Sequence, residues 1–189
     1  MKHGNSRRRW LSAVLIFAGA LAVVFLGLKI KQMNEAYPQV EIQDVERGMA
    51  EEVQLGVDMR IVDAKLFTME EAQNRYGEEF IKEVGQGYSY KTVEVTILLK
   101  NETEEVVEIP LYDIYFEQED YCNGLAPEVF FGIGNETEYV MLTENEAKEV
   151  TLGYLIFEKQ FKAGEWERMR IEDFYLVRQR YPLKIRWRM

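Results

Sequence analysis

The chain has 189 residues, the size of one ordinary domain with room for a short appendage. Hydrophobic residues make up 47% and charged residues 30% of the sequence, so a wholly disordered chain is excluded. The single cysteine, Cys122, cannot form an internal disulfide. Because the single histidine is His3, the rest of the chain has no histidine for a Ser–His–Asp triad or a His-based zinc site.

The charges are unevenly distributed along the chain. Residues 1–31 carry six bases and no acid, and residues 168–189 carry seven bases and two acids. The segment between them, residues 32–167, holds the remaining 10 bases against 31 acids. An acidic body of this kind repels phosphate backbones, so we expect no nucleic acid partner.

An uncharged apolar run at 10–28 follows three arginines at positions 7–9. A helix of these 19 residues rises about 1.5 Å per residue and nearly spans the ~30 Å hydrocarbon core of a bilayer. The arginines favour a cytoplasmic N-terminus, which places the rest of the chain outside. A cleaved signal peptide is the alternative, because small residues recur at 18–22 with the spacing of a cleavage site.

These features predict a single-pass protein of the cell membrane with four segments. A basic cytoplasmic tail (1–9) precedes a transmembrane helix that acts as a signal anchor (10–30). A polar spacer (31–50) then leads to an extracytoplasmic domain (51–189). Both the anchor and the signal-peptide interpretation place this domain outside the cytoplasm.

Most of the exported part has the alternating apolar and polar pattern of half-buried strands. The sequence predicts nine short strands, at 53–61, 92–99, 106–111, 114–117, 128–133, 139–142, 148–157, 168–177 and 183–189. Strands of this length separated by regular turns are typical of a β-sandwich or barrel.

One predicted helix interrupts the strands. Thr68 and Glu71 form the sequence pattern of a capping box, and apolar residues follow at three- and four-residue spacing. Gly77 weakens the middle, so the segment forms either one helix or two shorter ones. The sequence therefore predicts a helical insertion between the first two strands.

Two stretches resemble a known kind of domain. The run TVEVTILLKNETEEVVEIPLYDIYFEQED at 92–120 contains a strand that ends in an Asn-containing turn, followed by the pattern xVxIPxxDIxF. The strand KEVTLGYLIF at 148–157 is similar to a later strand of the same domains. In these features the chain resembles uncharacterised membrane-anchored or lipoprotein immunoglobulin-like domains of Gram-positive bacteria. The resemblance implies a mainly β, immunoglobulin-like sandwich outside the cytoplasm, and it supplies no active residues.

The last predicted strand, at 183–189, alternates apolar and basic residues. One interpretation is an edge strand whose charges oppose aggregation and pair with the acidic body. The other is a docking surface for anionic lipid headgroups, an envelope polymer or an acidic protein, including by strand addition. The candidate interaction residues are Arg178, Arg180, Lys184, Arg186, Trp187 and Arg188.

Three acidic residues precede a polar turn and are weak candidates for binding Ca²⁺: Glu117, Glu119 and Asp120. The spacing of an EF-hand is absent from the sequence, and the same residues suit an ordinary polar hairpin loop. The sequence therefore predicts no metal site and no cofactor.

The predicted function is that of a non-catalytic binding or interaction module of the cell envelope, anchored in the membrane. The alternative is a domain that senses or sequesters a small ligand or Ca²⁺. An envelope hydrolase with paired carboxylates is less favoured, because most of the 33 acids of the chain are expected on a solvated surface.

Overall fold

The structure is a computed structural model that describes residues 4–84, 87–119, 121–162 and 164–189. It divides into two units, residues 1–40 and 41–189, which are described separately. In the first unit, helix α1 (Gly4–Ala36) extends six residues beyond the predicted end at residue 30. Within the described residues, one helical segment, Ile16–Ala36, is long and apolar enough to cross a membrane, and its side chains are exposed.

The described part of the second unit is mainly β. Its eleven strands are β1 (Glu41–Val45), β2 (Glu51–Gln54), β3 (Val57–Phe67), β4 (Tyr90–Asn101), β5 (Val107–Pro110), β6 (Ile114–Gln118), β7 (Tyr121–Asn123), β8 (Tyr139–Leu142), β9 (Ala147–Phe157), β10 (Tyr175–Arg180) and β11 (Leu183–Arg188). Its three α-helices are α2 (Met69–Val84), α3 (Pro127–Gly132) and α4 (Glu165–Arg168).

These strands form three sheets in the described residues. A five-stranded sheet has the order β1-β11-β10-β6-β7, a four-stranded sheet has the order β2-β3-β4-β9, and β5 pairs with β8. Neighbouring strands are antiparallel, except that β1 runs parallel to β11. The five-stranded sheet therefore contains both the first and the last strand of the unit.

The inner faces of the two larger sheets share one hydrophobic core, to which β5 and β8 also contribute. Tyr154 on β9 is fully buried and reaches across to the other sheet, where its hydroxyl donates a hydrogen bond to the carbonyl of Ile114 at 3.0 Å. Its ring stacks on Phe116 of β6 with centroids 5.3 Å apart. From Val95 to Asn101 on β4 every second side chain is buried, as the period-2 pattern predicts, whereas Thr92 to Val95 are all buried.

Helices α2 and α3 lie on the outer face of the four-stranded sheet. The Glu94 side chain, which is only 8% exposed, accepts hydrogen bonds from the Arg75 guanidinium and, at 2.7 Å, from the Tyr76 hydroxyl, both on α2. Helix α3 contacts β9 at Gly153, where a side-chain Cβ would lie 2.8 Å from the Phe130 nitrogen. The helices therefore cover the part of this outer face around Glu94 and Gly153, while Arg60 and Lys100 on the same face stay exposed.

The sequence signals of α2 are present as local geometry. The Thr68 amide donates a hydrogen bond to Glu71 at 2.7 Å, and the Glu71 amide donates to the Thr68 hydroxyl at 3.3 Å, which is a capping box. Gly77 has φ +83°, so the segment is two helical pieces joined by a kink. A positive φ of this kind favours glycine.

Three predicted strands were wrong in part or in whole. The segment 128–133 forms helix α3, because Pro127 suits a first helical turn and a short apolar run does not distinguish strand from helix. The segment 53–61 is a hairpin, in which Gly56 at φ +72° makes the turn and Leu55 is exposed. The segment 168–177 begins with the end of α4 and a 3-10 turn, and only its last residues join β10.

The polar segment 31–50, expected to be a spacer, contains regular secondary structure. It contains the end of α1 and, from Glu41, the strand β1. Val45 is the buried residue of β1, and Ile42 is 52% exposed. The strand forms through its pairing with β11, which a polar composition does not reveal.

Candidate functional site

The basic strand β11 lies inside the five-stranded sheet, between β1 and β10. The interpretation as an edge strand, and with it strand addition along β11, was therefore wrong. Its neighbour β1 comes from a segment too polar to be predicted as a strand. We call the side of this sheet that points away from the core the outer sheet face, defined by Asp44, Tyr115, Glu117, Cys122, Tyr175, Val177, Gln179, Lys184, Arg186 and Arg188.

The alternation of β11 has the predicted consequence for burial. Ile185 and Trp187 point into the core, whereas the basic side chains lie on the outer sheet face. Trp187 is fully buried, and its indole Nε1 has no hydrogen-bond partner among the described residues. Its assignment to the interaction residues was therefore wrong, because the large ring fills the core.

Arg186 contacts residues of both neighbouring strands on this face. Its guanidinium donates two hydrogen bonds to Asp44 of β1, at 2.6 and 2.9 Å, and lies 4.6 Å from the ring centroid of Tyr175. The hydrogen bond from Arg186, together with its charge, lowers the pKa of the Asp44 carboxyl. The three residues come from three neighbouring strands, so the sheet register fixes their arrangement.

Lys184 is paired in the same way. Its ammonium lies 2.6 and 2.8 Å from the two carboxylate oxygens of Glu117 on β6. Both side chains are mostly buried, at 20% and 14% exposure. Cys122 of β7 is paired with Glu117 of β6. Burial raises the pKa of the Cys122 thiol, and the charge of Glu117 raises it further. The thiol is therefore poorly suited to act as a nucleophile.

The other basic candidates differ in position. Arg178 points to the core side, where it donates a hydrogen bond to the carbonyl of Pro110 at 3.2 Å and lies 3.8 Å from Asp113. It is only 7% exposed, so its assignment to a docking surface was wrong. The side chain of Arg180 lies outside the described part of the chain. Arg188 is exposed, with its guanidinium 6.0 Å from the Tyr175 ring centroid.

A shallow groove of about 430 Å³ crosses the outer sheet face beside these cations. The aromatic and apolar part of its lining was not predicted as functional, because these residues become neighbours only when β6 and β10 pair. The period-2 pattern was the one sequence signal that could have placed these residues together, since it assigns each residue of a strand to one face of the sheet. The lining includes Tyr115, Glu117, Cys122, Val177, Gln179 and Tyr181.

The structure describes two of the three acidic residues proposed for Ca²⁺. Glu117 is bound to Lys184, and Glu119 is exposed on the turn that follows β6. Asp120 lies outside the described residues. In the described part of the chain, no group of three or more His, Cys, Asp or Glu side chains is placed to hold a metal ion.

Comparison with known protein families identifies the family of this chain. The model for a domain of unknown function, DUF5028, matches residues 34–185. The chain belongs to this family. Its description names no activity, and none of the curated proteins matches the chain. The structure is similar to the crystal structure of an uncharacterised β-sandwich protein from Clostridium difficile 630, at 12% identity and a TM-score of 0.44, over 80% of this chain and 96% of that one.

Proposed function

We propose that the protein is a membrane-anchored, non-catalytic binding module of the cell envelope, and that the outer sheet face is the surface it offers to a partner protein. One observation carries the proposal: this face carries a groove of about 430 Å³ and the exposed side chains of Asp44, Gln179 and Arg188, whereas α2 and α3 cover part of the outer face of the opposite sheet. A partner that buries the exposed face would complete the layering of the domain.

The chemistry of the face supports a protein partner. Tyrosine and arginine are enriched at the centres of protein interfaces, and here Arg186 and Tyr175 are already stacked on one another. Because Asp44 fixes Arg186, its side chain loses little conformational freedom on binding. Arg188 has no ion pair among the described residues, so it is available for an acidic group of the partner.

The extracytoplasmic location is part of the same proposal. Support comes from the apolar helix α1 and from the arginines that precede its uncharged run, which favour a cytoplasmic N-terminus. The immunoglobulin-like topology and the Gram-positive origin implied by the sequence resemblance also belong to it. The antiparallel pairing within the four-stranded sheet and the passage of the chain from β9 to β10 of the other sheet are consistent with that topology.

An introduced cysteine away from the proposed binding face gives a direct test of the location. Glu104 is exposed, so a membrane-impermeant maleimide added to intact cells should label Glu104→Cys in a Cys122→Ser background, and Cys122→Ser alone should give no signal. Labelling only after the cells are permeabilised would place the domain in the cytoplasm and contradict the proposal.

The binding face is tested by purification of the full-length protein from gently solubilised membranes. We expect one protein to be recovered with the natural sequence and lost with Arg188→Glu, because the substitution reverses an exposed charge without breaking a described ion pair. Arg60→Glu is the matched control, since Arg60 is exposed on β3 of the opposite sheet. Recovery of the same protein with both variants would contradict the assignment of this face.

A further inference from the structure

A second concave surface lies on different residues, just before β4 and just after β9. This cleft has a volume of about 600 Å³, within the 300–1,000 Å³ typical of sites for small molecules. Its lining combines aromatic rings with charges of both signs. The residues that matter here are Tyr88, Lys159, Phe161, Lys162 and Trp166, with Glu158 and Glu167 at the same surface.

Three aromatic rings of the cleft are accessible. Tyr88 is 54% exposed, and Phe161 and Trp166 are half-buried with ring centroids 6.0 Å apart. Aromatic side chains of this size stabilise a protein most when they are buried, so rings that line a concave surface indicate a ligand that covers them. Phe161 and Trp166 also pack against the main core, so Tyr88 offers the most exposed ring surface to the apolar face of a sugar.

Three lysines lie at or beside this surface, although Lys91 contacts Trp166 without being part of the cleft lining. The Lys159 ammonium lies 4.2 Å from the Tyr88 ring centroid, and the Lys91 ammonium lies 4.5 Å from that of Trp166 and donates a hydrogen bond to its carbonyl at 2.6 Å. Lys162 also lines the cleft. None of the three forms an ion pair within the described residues, although residues 32–167 hold only 10 bases against 31 acids.

We propose that this cleft binds a sugar that carries a carboxylate or phosphate group. The rings would stack on the sugar and the lysines would pair with its anionic group. The carboxylates of Glu158 and Glu167 would accept hydrogen bonds from its hydroxyls. The proposal concerns residues outside the outer sheet face, so it stands or falls independently of the proposed partner protein.

The test uses the full chain in a polyoxyethylene detergent, which contains no sugar, and ligand titrations followed by NMR. Three probes share one ring: N-acetylmuramic acid carries a carboxylate, N-acetylglucosamine 6-phosphate carries a phosphate, and N-acetylglucosamine is uncharged. We expect saturable binding of at least one charged probe, at least tenfold tighter than that of the uncharged sugar. The charged probe that binds better identifies the anionic group.

Two variants assign the binding to the cleft. We expect the double substitution Lys159→Gln and Lys162→Gln, and separately Tyr88→Leu, to weaken the charged probe about fivefold or more. Lys148→Gln and Tyr139→Ala are matched controls at exposed positions outside the cleft and should bind as the natural sequence does. Thermal unfolding verifies that each variant is folded.

Three results would overturn the proposal. The first is the absence of saturable binding for both charged probes, and the second is equal affinity for the charged and uncharged sugars. The third is binding that the cleft variants leave unchanged while they remain folded. For this third result a lysine variant without effect is sufficient, because it would show that the anionic group does not contact these lysines.

Discussion

Asn101, the last residue of β4, organises the turn that follows it through hydrogen bonds in both directions. Its side-chain amide is buried and donates to the carbonyls of Glu105 and Thr143 at 2.7 and 3.0 Å. Its side-chain oxygen accepts from the Thr103 amide at 2.9 Å and from the Thr103 hydroxyl at 2.7 Å. The residue therefore satisfies backbone groups of two loops at once.

We expect Asn101→Ala to lower the free energy of unfolding by about 2–3 kcal/mol, because it leaves buried backbone groups without partners. Denaturant unfolding of the full chain measures the change. Glu104→Ala is the control, since Glu104 is an exposed residue of the same turn. An effect of Asn101→Ala as small as that of the control would show that these hydrogen bonds contribute little.

The Asp44–Arg186 pair makes stability depend on pH. Arg186 lowers the pKa of Asp44 in the folded chain, so the contribution is fully present above the ordinary carboxyl pKa and is lost as the pH falls through the folded value. We expect Asp44→Asn to be less stable than the natural sequence at about pH 7, by under ~1 kcal/mol because Asp44 is half exposed.

The difference between the two proteins should shrink as the pH falls below the ordinary carboxyl pKa and the carboxyl of Asp44 takes up its proton. Denaturant unfolding at a series of pH values measures it. A difference that stays constant over this range would mean that the effect of the substitution does not depend on the charge of Asp44.

At the scale of elements, the contact between α3 and β9 depends on the absence of a side chain at one position. An added Cβ at Gly153 would lie 2.7 Å from Val129 and 2.8 Å from the backbone nitrogen of Phe130. Because backbone atoms cannot rotate away, the helix would have to shift. The amide of Ala126, which donates to the Gly153 carbonyl at 2.9 Å, ties the start of the same helix to the strand.

We expect Gly153→Ala to destabilise the domain by about 1–3 kcal/mol through overpacking. Gly124→Ala is the matched control, because a Cβ at Gly124 would meet nothing within 4 Å. Thermal and denaturant unfolding compare the two variants. Equal stability of the two would indicate that α3 moves without cost and that its contact with the sheet is loose.

Elements with a strong local signal could be predicted from the sequence. Strand β8 has the predicted bounds, and β4, β9 and β11 differ from prediction by a few residues at most. Elements defined by tertiary contacts could not. Helix α3 was predicted as a strand because a short apolar run does not distinguish a strand from a helix. The burial of Val129 and Phe130 depends on the contact with Gly153, which is a tertiary contact.

At the scale of the whole molecule, the described residues of the main core all lie at Val45 or later in the chain. We therefore expect residues 41–189 to unfold cooperatively as a monomer without the N-terminal helix. A chain that begins at Met49 lacks β1 and leaves the β11 edge unpaired, so it should be less stable and should self-associate. Thermal unfolding and light scattering test both. Equal behaviour of the two chains would show that β1 is dispensable.

The need for tertiary contacts also explains which parts of the candidate site could not be predicted from the sequence. Composition and alternation separated the cations of β11 from its apolar side chains, and the described burial confirms that separation. The partners of those cations lie far along the chain, with Asp44 separated from Arg186 by 142 positions. Pairing at such distances depends on sheet order, which a local pattern does not contain. Arg178 was misassigned for this reason, whereas Trp187 was misassigned although the alternation of β11 already places it on the apolar face.

The parallel pairing of β1 with β11 has a consequence for folding during protein synthesis. Because synthesis proceeds from the N-terminus, β1 emerges first and its partner last, 142 positions later. At 5–20 residues per second, the interval is about 7–28 s. During that time the nascent chain can form the antiparallel pair of β3 and β4, but the five-stranded sheet stays incomplete. The sheet can therefore close on β1 only after β11 has been synthesised.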